Sequence, residues 1–475
     1  MVNNMIKKII FSLVFVCFFS KTFAENEKPN VLFIMVDDLR VELGSYGGPH
    51  VKSPNIDKLA DSGTRFANAY VSVPVCGASR ASLFTGMRAL PDRFVRYYTW
   101  VQEDAPEAIT LFEQFKNNGY NTIGYGKIFH QTQDTAEKSW TSGRAWIADY
   151  DQDPKKNTSF RNYQKPENIA LHRATGTGPS TENFDGPDDV YFDGMVANKT
   201  IKTLDRLASS DQPFFLAVGF VKPHLPFNAP KKYWDMYDPD QFVLPPSELP
   251  VDAPRNAYHK FGELRSYSDT PKEGPVSDEQ ALRLVHGYHA SVTYTDSQIG
   301  KVLDHLDTLG LSENTIVVLM GDHGYSLGEH GLWCKHSTFD VATKTPLIIR
   351  APNMPKNNVV NGLVEFIDIY PTLTDLAGID SPDQLSGFSL VSLLEDGSLP
   401  ARNAVFPRYH SAEAIKTDQF TLTQWYNKRG DLFAEMLYDN INDPDETRNL
   451  AKLKEYKKIR SELEKKLVRH MRTRK

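Results

Sequence analysis

The stretch Asn30-Val31-Leu32-Phe33-Ile34-Met35-Val36-Asp37-Asp38 decides the fold, because an almost continuous apolar run ends abruptly in two carboxylates. A short apolar run without alternation predicts a strand that is buried on both faces, as in a parallel sheet covered by helices. Further runs along the chain have the same character: Thr122–Tyr125, Phe214–Phe220, Thr315–Met320 and Pro346–Ile349. The chain therefore contains the strands of one large sheet.

Stretches with helical periodicity lie between these runs, namely Ile56–Ser62, Ile109–Asn117, Met195–Ala208 and Glu279–Leu309. The alternation of strands and helices predicts an α/β fold, in which a large, mostly parallel sheet is sandwiched between helices. The segment from about 134 to 190 is polar and rich in turn residues, so we interpret it as a loop or insertion. Such a segment would shape the rim of a substrate site.

The pattern changes after about Ser381. Phe420–Tyr426 alternates like a half-exposed strand, Asn427–Gly430 has turn composition, and Glu435–Tyr438 resumes as a partner strand, which predicts a hairpin. A charged amphipathic helix from roughly Leu450 to Arg472 follows. We therefore expect a smaller C-terminal subdomain with an antiparallel sheet and a helix.

The first residues have the layout of a secretory signal peptide. Lys7 and Lys8 precede the apolar run Ile9–Phe19, and Thr22-Phe23-Ala24 provides small residues for cleavage. No later segment approaches the ~20 continuous apolar residues of a membrane-spanning helix, so we expect no transmembrane segment in the mature chain. The signal predicts an exported protein, and the scarcity of cysteines favours the bacterial periplasm or secretion over a lysosomal location, which the sequons Asn157-Thr158-Ser159 and Asn198-Lys199-Thr200 leave open.

These observations divide the chain into a signal peptide (1–24), a main domain (25–380) and the C-terminal subdomain (381–475). The formal net charge is −6, and bulk charge of this sign predicts no nucleic-acid partner. An anionic substrate would need a local cluster of cations. Cys17 would leave with the signal peptide, so Cys76 and Cys334 are the two cysteines expected in the mature chain. A single bridge between them would not make a disulfide framework. We therefore expect a large core to supply the stability.

Polar residues follow each of the first four predicted strands. In an open parallel sheet ligands bind beyond the carboxyl ends of the strands, so these residues should meet at one rim. Taken singly they have structural explanations, because an Asp-Asp pair can cap a helix and a lone histidine is usually structural. Because these residues should converge at one rim, a ligand-binding site is favoured over the structural explanations. They are Asp37-Asp38, Lys127 with His130, Lys222 with His224, and Asp322-His323.

Asp37, Asp38 and Asp322 would repel one another at such a rim unless a cation lay between them. Oxygen ligands favour calcium or magnesium, whereas His323 leaves zinc or manganese open. Cationic side chains beside the metal would form a pocket suited to a tetrahedral oxyanion such as sulfate or phosphate. The candidates for this pocket are Arg80, Lys127, His130, His224 and Lys335.

The run Cys76-Gly77-Ala78-Ser79-Arg80, followed by Thr85-Gly86, resembles the signature of type I sulfatases, in which the cysteine is oxidised to formylglycine. Ala78 stands where proline is usual, and Met87 where an arginine often follows. The resemblance spans nearly the whole mature chain, and Asp322-His323 is similar to the iduronate-2-sulfatase-like members. Further matching motifs are Val36-Asp37-Asp38, Gly126-Lys127-Ile128-Phe129-His130, Lys222-Pro223-His224, Gly321-Asp322-His323-Gly324, Gly328-Glu329-His330-Gly331-Leu332-Trp333-Cys334-Lys335 and Leu437-Tyr438-Asp439.

The resemblance implies an alkaline-phosphatase-like sandwich and one Ca²⁺ per chain. The implied metal ligands are Asp37, Asp38, Asp322, His323 and the modified Cys76. The implied nucleophile is Cys76 as a formylglycine hydrate, which attacks sulfur and is held by Arg80 and Lys127. His224 and Lys335 are implied to contact the sulfate group. His130 is implied to be the base whose proton uptake releases sulfate from residue 76. The implied partners are a formylglycine-generating maturation enzyme and a sulfated carbohydrate, such as an ulvan, carrageenan or glycosaminoglycan fragment.

Other functions stay open from the sequence. A phosphonate or phosphate ester hydrolase of the same superfamily would use the same metal rim, and some phosphonate hydrolases also use formylglycine. A metal-bound binding protein without activity is a third candidate, although every residue that the chemistry needs is present. Cys76 as a simple thiol nucleophile is disfavoured, because its motif offers no paired base.

Overall fold

The structure is a computed structural model that describes residues 28–141 and 161–474. The predicted signal peptide, residues 1–24, lies outside the described residues. The strands in the described part are β1 (Asn30–Val36), β2 (Thr64–Tyr70), β3 (Asn121–Gly126), β4 (Thr181–Phe184), β5 (Phe214–Phe220), β6 (Phe227–Pro230), β7 (Thr315–Gly321), β8 (Ser326–Leu327), β9 (Trp333–Cys334), β10 (Leu347–Arg350), β11 (Asn358–Glu365), β12 (Arg408–Tyr409), β13 (Ala412–Lys416), β14 (Phe420–Tyr426) and β15 (Leu432–Asp439).

The α-helices of the described residues range from single turns to the 31-residue α10. No described helix combines the length and the apolar character needed to cross a membrane. The helices are α1 (Pro54–Asp61), α2 (Cys76–Thr85), α3 (Val101–Asp104), α4 (Leu111–Asn117), α5 (Ala136–Ser139), α6 (Pro166–Thr175), α7 (Phe192–Leu207), α8 (Lys231–Trp234), α9 (Gly262–Arg265), α10 (Asp278–Thr308), α11 (Asp340–Thr343), α12 (Ile369–Leu376), α13 (Val391–Glu395) and α14 (Lys457–Thr473).

The central sheet has the strand order β11-β2-β10-β7-β1-β5-β3. Only β10 runs antiparallel to its neighbours in it, so the predicted mostly parallel sheet is confirmed. Val36 at the end of β1 pairs with Phe220 of β5 and Gly321 of β7, and Gly126 of β3 pairs with Gly219 of β5. Four strands therefore end side by side, and the loops that follow them start from one edge of the sheet.

Alternate side chains of β1 pack on opposite faces of the sheet, which explains its unbroken apolar run. Leu32 belongs to one buried cluster with Val302 of α10. Phe33 belongs to a second cluster with Phe84 of α2, and the two ring centroids lie 6.2 Å apart. Both faces of the sheet are thus covered by helices, and the predicted α/β sandwich is confirmed.

The C-terminal subdomain contains an antiparallel sheet in the order β12-β13-β14-β15, with α14 packed against it. The predicted hairpin is confirmed, since Leu422 of β14 pairs with Leu437 of β15. The predicted start of the last helix at Leu450 is wrong. The N–H of Leu450 donates to the carbonyl oxygen of Leu437 at 2.8 Å, which ties this residue to the sheet, and the helix begins only at Lys457.

The interpretation of the segment 134–190 as loop or insertion is wrong in part. Its described residues include α5, α6 and β4, and β4 forms a small parallel sheet with β6. Buried hydrogen bonds stabilise this region, because the Glu182 carboxylate accepts from the Tyr191 hydroxyl at 2.9 Å and from the backbone N–H of Gln164 at 2.7 Å. The polar residues of this region form its internal hydrogen bonds, so its polar composition did not indicate a loop. The middle of the segment lies outside the described residues.

Replacing Leu467 by alanine is expected to destabilise the C-terminal subdomain by about 2–5 kcal/mol, because a fully buried leucine leaves a cavity when truncated. Leu467 packs in one cluster with Leu422 and Leu437 of the sheet. Urea unfolding would measure the loss. Lys466→Ala, an exposed position on the same helix, is the matched control, and equal losses in both variants would contradict the proposed packing of α14.

Candidate active site

A buried acidic cluster lies at the edge of the sheet where β1 and β7 end. Asp37, Asp38 and Asp322 follow directly after these strands and are fully buried, as is His323. The N–H of Asp38 donates to Oδ1 of Asp322 at 3.0 Å, and the N–H of Asp322 donates to the carbonyl oxygen of Val36 at 3.1 Å. The two strand ends are therefore joined where their carboxylates meet.

Cys76 is the first residue of α2, whose every residue is buried. The Ser79 hydroxyl donates to the backbone oxygen of Asp322 at 2.6 Å and fixes the first turn of α2 against the end of β7. A Cβ at Gly77 would lie 2.0 Å from the carbonyl oxygen of Tyr97, so only glycine permits this close contact. Sγ of Cys76 is held 3.2 Å from Nε2 of His323.

The environment of Cys76 favours its neutral thiol. Burial and the nearby Asp37 raise the pKa of the Cys76 thiol well above its ordinary value, although Lys127 and Lys335 oppose this effect. A thiolate nucleophile is activated by a lowered pKa or by an adjacent base. These surroundings do not support the simple thiol nucleophile.

The Arg80 guanidinium joins the Asp37 carboxylate, which follows β1, to the Asp322 carboxylate, which follows β7. Its Nε donates to Asp322 at 3.0 Å and its Nη2 to Asp37 at 3.0 Å, while Nη1 donates to the Ile128 carbonyl oxygen at 2.7 Å. Burial would lower the pKa of this guanidinium, but Asp322 and Asp37 raise it, so it stays charged. Arg80 thus orients two carboxylates and lies beneath the cavity instead of lining it.

Two lysines pair with the first two carboxylates. Nζ of Lys127 forms an ion pair with Asp37, and Nζ of Lys335 lies 3.0 Å from Oδ1 of Asp38. Burial alone would raise the pKa of Asp37, but Lys127, His224 and Arg80 hold it well below its ordinary value. The Asp37 carboxylate is therefore ionised in the folded protein.

The two candidate catalytic histidines have different partners. Nε2 of His224 lies 2.8 Å from the Glu263 carboxylate, and its Nδ1 lies 2.6 Å from the carbonyl oxygen of Leu225. Nδ1 of His130 has no hydrogen-bond partner within the described ranges, and its ring stands edge-on to Tyr97 at 5.7 Å. Burial and Lys127 lower the pKa of His130 well below its ordinary value, so this ring is neutral and can accept a proton.

A cavity of about 620 Å³ opens above this cluster. It brings together five of the residues predicted from the sequence to be catalytic, while Asp37, Asp38, Asp322, His323 and Arg80 lie beneath its floor. The five predicted residues that line the cavity are Cys76, Lys127, His130, His224 and Lys335. A cationic pocket above a buried acidic cluster can hold a tetrahedral oxyanion next to a metal ion.

Four side chains offer a compact set of metal ligands: one ligand atom from each of Asp37, Cys76, Asp322 and His323 lies within 4.8 Å of all the others. Nδ1 of His323 lies 3.0 Å from the Gly324 carbonyl oxygen, so we assign the ring proton to Nδ1, which leaves Nε2 free to bind a metal. The carboxylates fit a hard divalent cation.

Asp38 is oriented differently from Asp37 and Asp322. Its carboxylate faces Lys335, and with His224 and Glu263 it forms a separate group of close ligand atoms. Its Oδ1 lies 3.5 Å from Nδ1 of His323, so it remains next to the four-residue set.

Glu263 is a site residue that the sequence did not predict. It lies in the short helix α9, and its carboxylate bridges Nζ of Lys335 at 2.8 Å and Nε2 of His224 at 2.8 Å. Burial alone would raise the pKa of Glu263, but Lys335 and His224 hold it well below its ordinary value. No apolar run precedes α9 in the sequence, so no signal in the pattern pointed to this residue.

The comparisons with known proteins agree with this geometry. The model of the family described as Sulfatase matches residues 29–379, and one described as N-sulphoglucosamine sulphohydrolase, C-terminal, matches residues 328–473. The chain is 34% identical to iduronate 2-sulfatase from Homo sapiens over 413 residues, which cover 79% of this chain and 74% of the relative. It is 31% identical to a sulfatase from Formosa agariphila over 439 residues, covering 90% and 84%.

Solved structures share the fold. A phosphonate monoester hydrolase from Silicibacter pomeroyi superposes with a TM-score of 0.75 at 24% identity, covering 94% of this chain and 96% of the other. A protein solved in complex with its substrate D-glucosamine-2-N,6-O-disulfate superposes with a TM-score of 0.71 at 22% identity, covering 94% and 98%. At these identities the likeness shows the architecture alone.

Proposed function

Because this chain belongs to the sulfatase family and is a sulfuric ester hydrolase, we propose that it removes sulfate esters from a sulfated sugar through a formylglycine formed at Cys76. One observation carries the proposal. Cys76 lies at the floor of a cavity lined with cations and directly above buried carboxylates, which is where a nucleophile for an anionic ester is needed.

The metal site proposed here consists of Asp37, Asp38, Asp322 and His323 together with the oxidised residue 76, and we propose calcium as its ion. The bound ion would offset the charge of the sulfate group and lower the cost of ionising the hydrated aldehyde. Arg80 holds Asp37 and Asp322 by two charged hydrogen bonds, so the ligands are oriented in advance.

The cationic and histidine side chains that line the cavity would stabilise charge and transfer protons during the reaction. Lys127 and Lys335 provide buried positive charge next to the reacting group. His224 would donate a proton to the departing alcohol, because its Nε2 lies 2.8 Å from the ionised Glu263 carboxylate and its Nδ1 lies 2.6 Å from the Leu225 carbonyl oxygen, so that both ring nitrogens face acceptors and Nε2 carries a proton. The neutral His130 would take the proton whose removal expels sulfate from residue 76.

A sugar is the proposed substrate because of what similar proteins act on. The chain resembles iduronate 2-sulfatase, and a structural neighbour was solved with a disulfated glucosamine. Fragments of ulvan, carrageenan or glycosaminoglycans are therefore the first substrates to test. We also propose that the chain is exported and that a formylglycine-generating enzyme oxidises Cys76, consistent with its amino-terminal signal pattern.

We expect higher kcat/KM for 4-nitrophenyl sulfate than for 4-nitrophenyl phosphate or a phenylphosphonate ester, measured on the same preparation. The phosphonate hydrolase is the competing candidate, because a protein with that activity shares the fold. Peptide mass spectrometry should show residue 76 lighter by roughly 18 Da, as expected when a thiol becomes an aldehyde. Turnover of phosphorus esters alone would overturn the proposed reaction.

A further inference from the structure

We propose that a groove beside the active site binds the next sugar units of an anionic glycan, so that this protein prefers chains to isolated sulfated sugars. The groove has a volume of about 890 Å³. Pro91 and Val95 form one wall, and the hairpin turn at Asn427–Gly430 and the end of α14 form the other. The choice of a glycan rests on the proposed function, whereas the surface is separate from the catalytic residues.

The groove lies next to the active-site cavity, because residues that are close together in two segments of the chain line one or the other. Tyr409 lines the cavity and His410 lines the groove, and the centroids of these neighbouring rings are 4.4 Å apart. On the opposite side Tyr97 lines the cavity and Val95 lines the groove. A chain whose sulfated unit sits above Cys76 can therefore extend into the groove.

Two exposed cations in the groove are free to bind a ligand. Lys428 and Arg472 line it, and neither side chain has a hydrogen bond or an ion pair with any residue of the described ranges. Burial, Arg408 and Arg96 together lower the pKa of His410, which places two further guanidiniums near the same wall. Unpaired cations concentrated in one groove of a chain with net charge −6 favour an anionic ligand.

The carboxylate that lines the groove is bound by guanidiniums. Glu413 lines the groove, and its oxygens are bound by Arg408 at 3.1 Å and by Arg474 at 2.6 Å. Carboxylate and sulfate groups on a sugar would thus meet Lys428 and Arg472 first.

Apolar atoms complete the surface that a sugar ring needs. Tyr426 and Met471 are partly exposed and line the groove together with Pro91. Binding sites for small molecules and sugars combine such apolar contact with a few placed polar groups. The groove offers both, whereas a site for inorganic anions would not need the apolar part.

The test is binding of size-defined heparin, ulvan and carrageenan oligosaccharides, from disaccharide to octasaccharide, followed by fluorescence anisotropy. For at least one of these glycans we expect affinity to rise with length. Lys428→Ser/Arg472→Ser should weaken the octasaccharide by about five- to tenfold, as for two exposed ion pairs, and leave the disaccharide unchanged. Affinity independent of length for all three glycans would overturn the proposal.

Lys458→Ser/Lys465→Ser is the matched control, because both exposed lysines lie on α14 outside the groove and the charge change is the same. If this control loses as much affinity as the groove variant, bulk charge explains the binding and the proposal is wrong. Hydrolysis of 4-nitrophenyl sulfate, expected to be unchanged in both variants, tests the reaction separately. If binding depends on glycan length but the protein has no sulfatase activity, the proposed reaction is wrong and the proposed role of the groove in glycan binding stands.

Discussion

Cys76→Ala is expected to lower kcat/KM for an aryl sulfate on the order of 10⁴- to 10⁶-fold, the range lost when a covalent nucleophile is removed. The side chain at position 76 lines the cavity and lies within 4.8 Å of the ligand atoms of Asp37, Asp322 and His323, and no other thiol and no serine or threonine hydroxyl lines that cavity among the described residues. Initial rates at saturating calcium would measure the loss.

Cys334→Ala is the matched control, because Cys334 is the other free and fully buried cysteine of the described chain. It contacts the Tyr325 hydroxyl at 3.5 Å and does not line the cavity. We expect its kcat/KM to match that of the wild type. Comparable losses in both cysteine variants would indicate a general effect on folding, and thermal unfolding would reveal it.

Cys76→Ser separates the two halves of the proposed chemistry. A serine hydroxyl could still attack sulfur, but it has no second hydroxyl whose deprotonation expels the sulfate. We therefore expect at most one alcohol released from substrate per chain, because the sulfo group passes to the serine hydroxyl at position 76 and stays there as a sulfate ester, which peptide mass spectrometry would detect on residue 76. Steady turnover by this variant would rule out the formylglycine route.

The strands that the sequence predicted are those buried on both faces. β5 is apolar throughout, and β1 and β7 are apolar after their first residues, Asn30 and Thr315, because helices cover each face of the sheet. β2 and β11 escaped prediction, since both carry polar residues such as Arg65 and Asn361 at partly exposed or exposed positions. β11 lies at the edge of the sheet, where one side of the strand is free and a continuous apolar run is not needed.

The convergence of the site could be predicted, but the orientation of its side chains could not. Asp37, Asp322 and Lys127 meet because their strands end side by side, which follows from the parallel sheet. The position of Arg80 beneath the carboxylates depends on where the first turns of α2 pack. Glu263 reaches the site from a helix of four residues, too short to have a recognisable pattern.

Removal of the proposed calcium ion with EGTA is expected to reduce kcat by at least about 10²–10³-fold, comparable to losing one group that stabilises charge in the transition state. Without an ion, Arg80 and Lys127 are the lysine and arginine side chains of the described residues that pair with the fully buried Asp37 and Asp322. The melting temperature should fall as well, because an ion that binds only the folded chain stabilises it. Activity and thermal unfolding across a calcium titration would measure both effects.

Two aspartate variants show whether the ion acts through this cluster. Asp322→Ala removes a ligand and the partner of Arg80, so neither activity nor melting temperature should respond to calcium. Asp296→Ala is the control, because Asp296 is equally buried but accepts hydrogen bonds from Asn55 and Ile56 at the start of α1. It should lose stability and keep the full response to calcium. If Asp322→Ala still responds to calcium, the ion binds elsewhere. The variant would have removed one of the two carboxylates that Arg80 holds, and metal binding would not have depended on it.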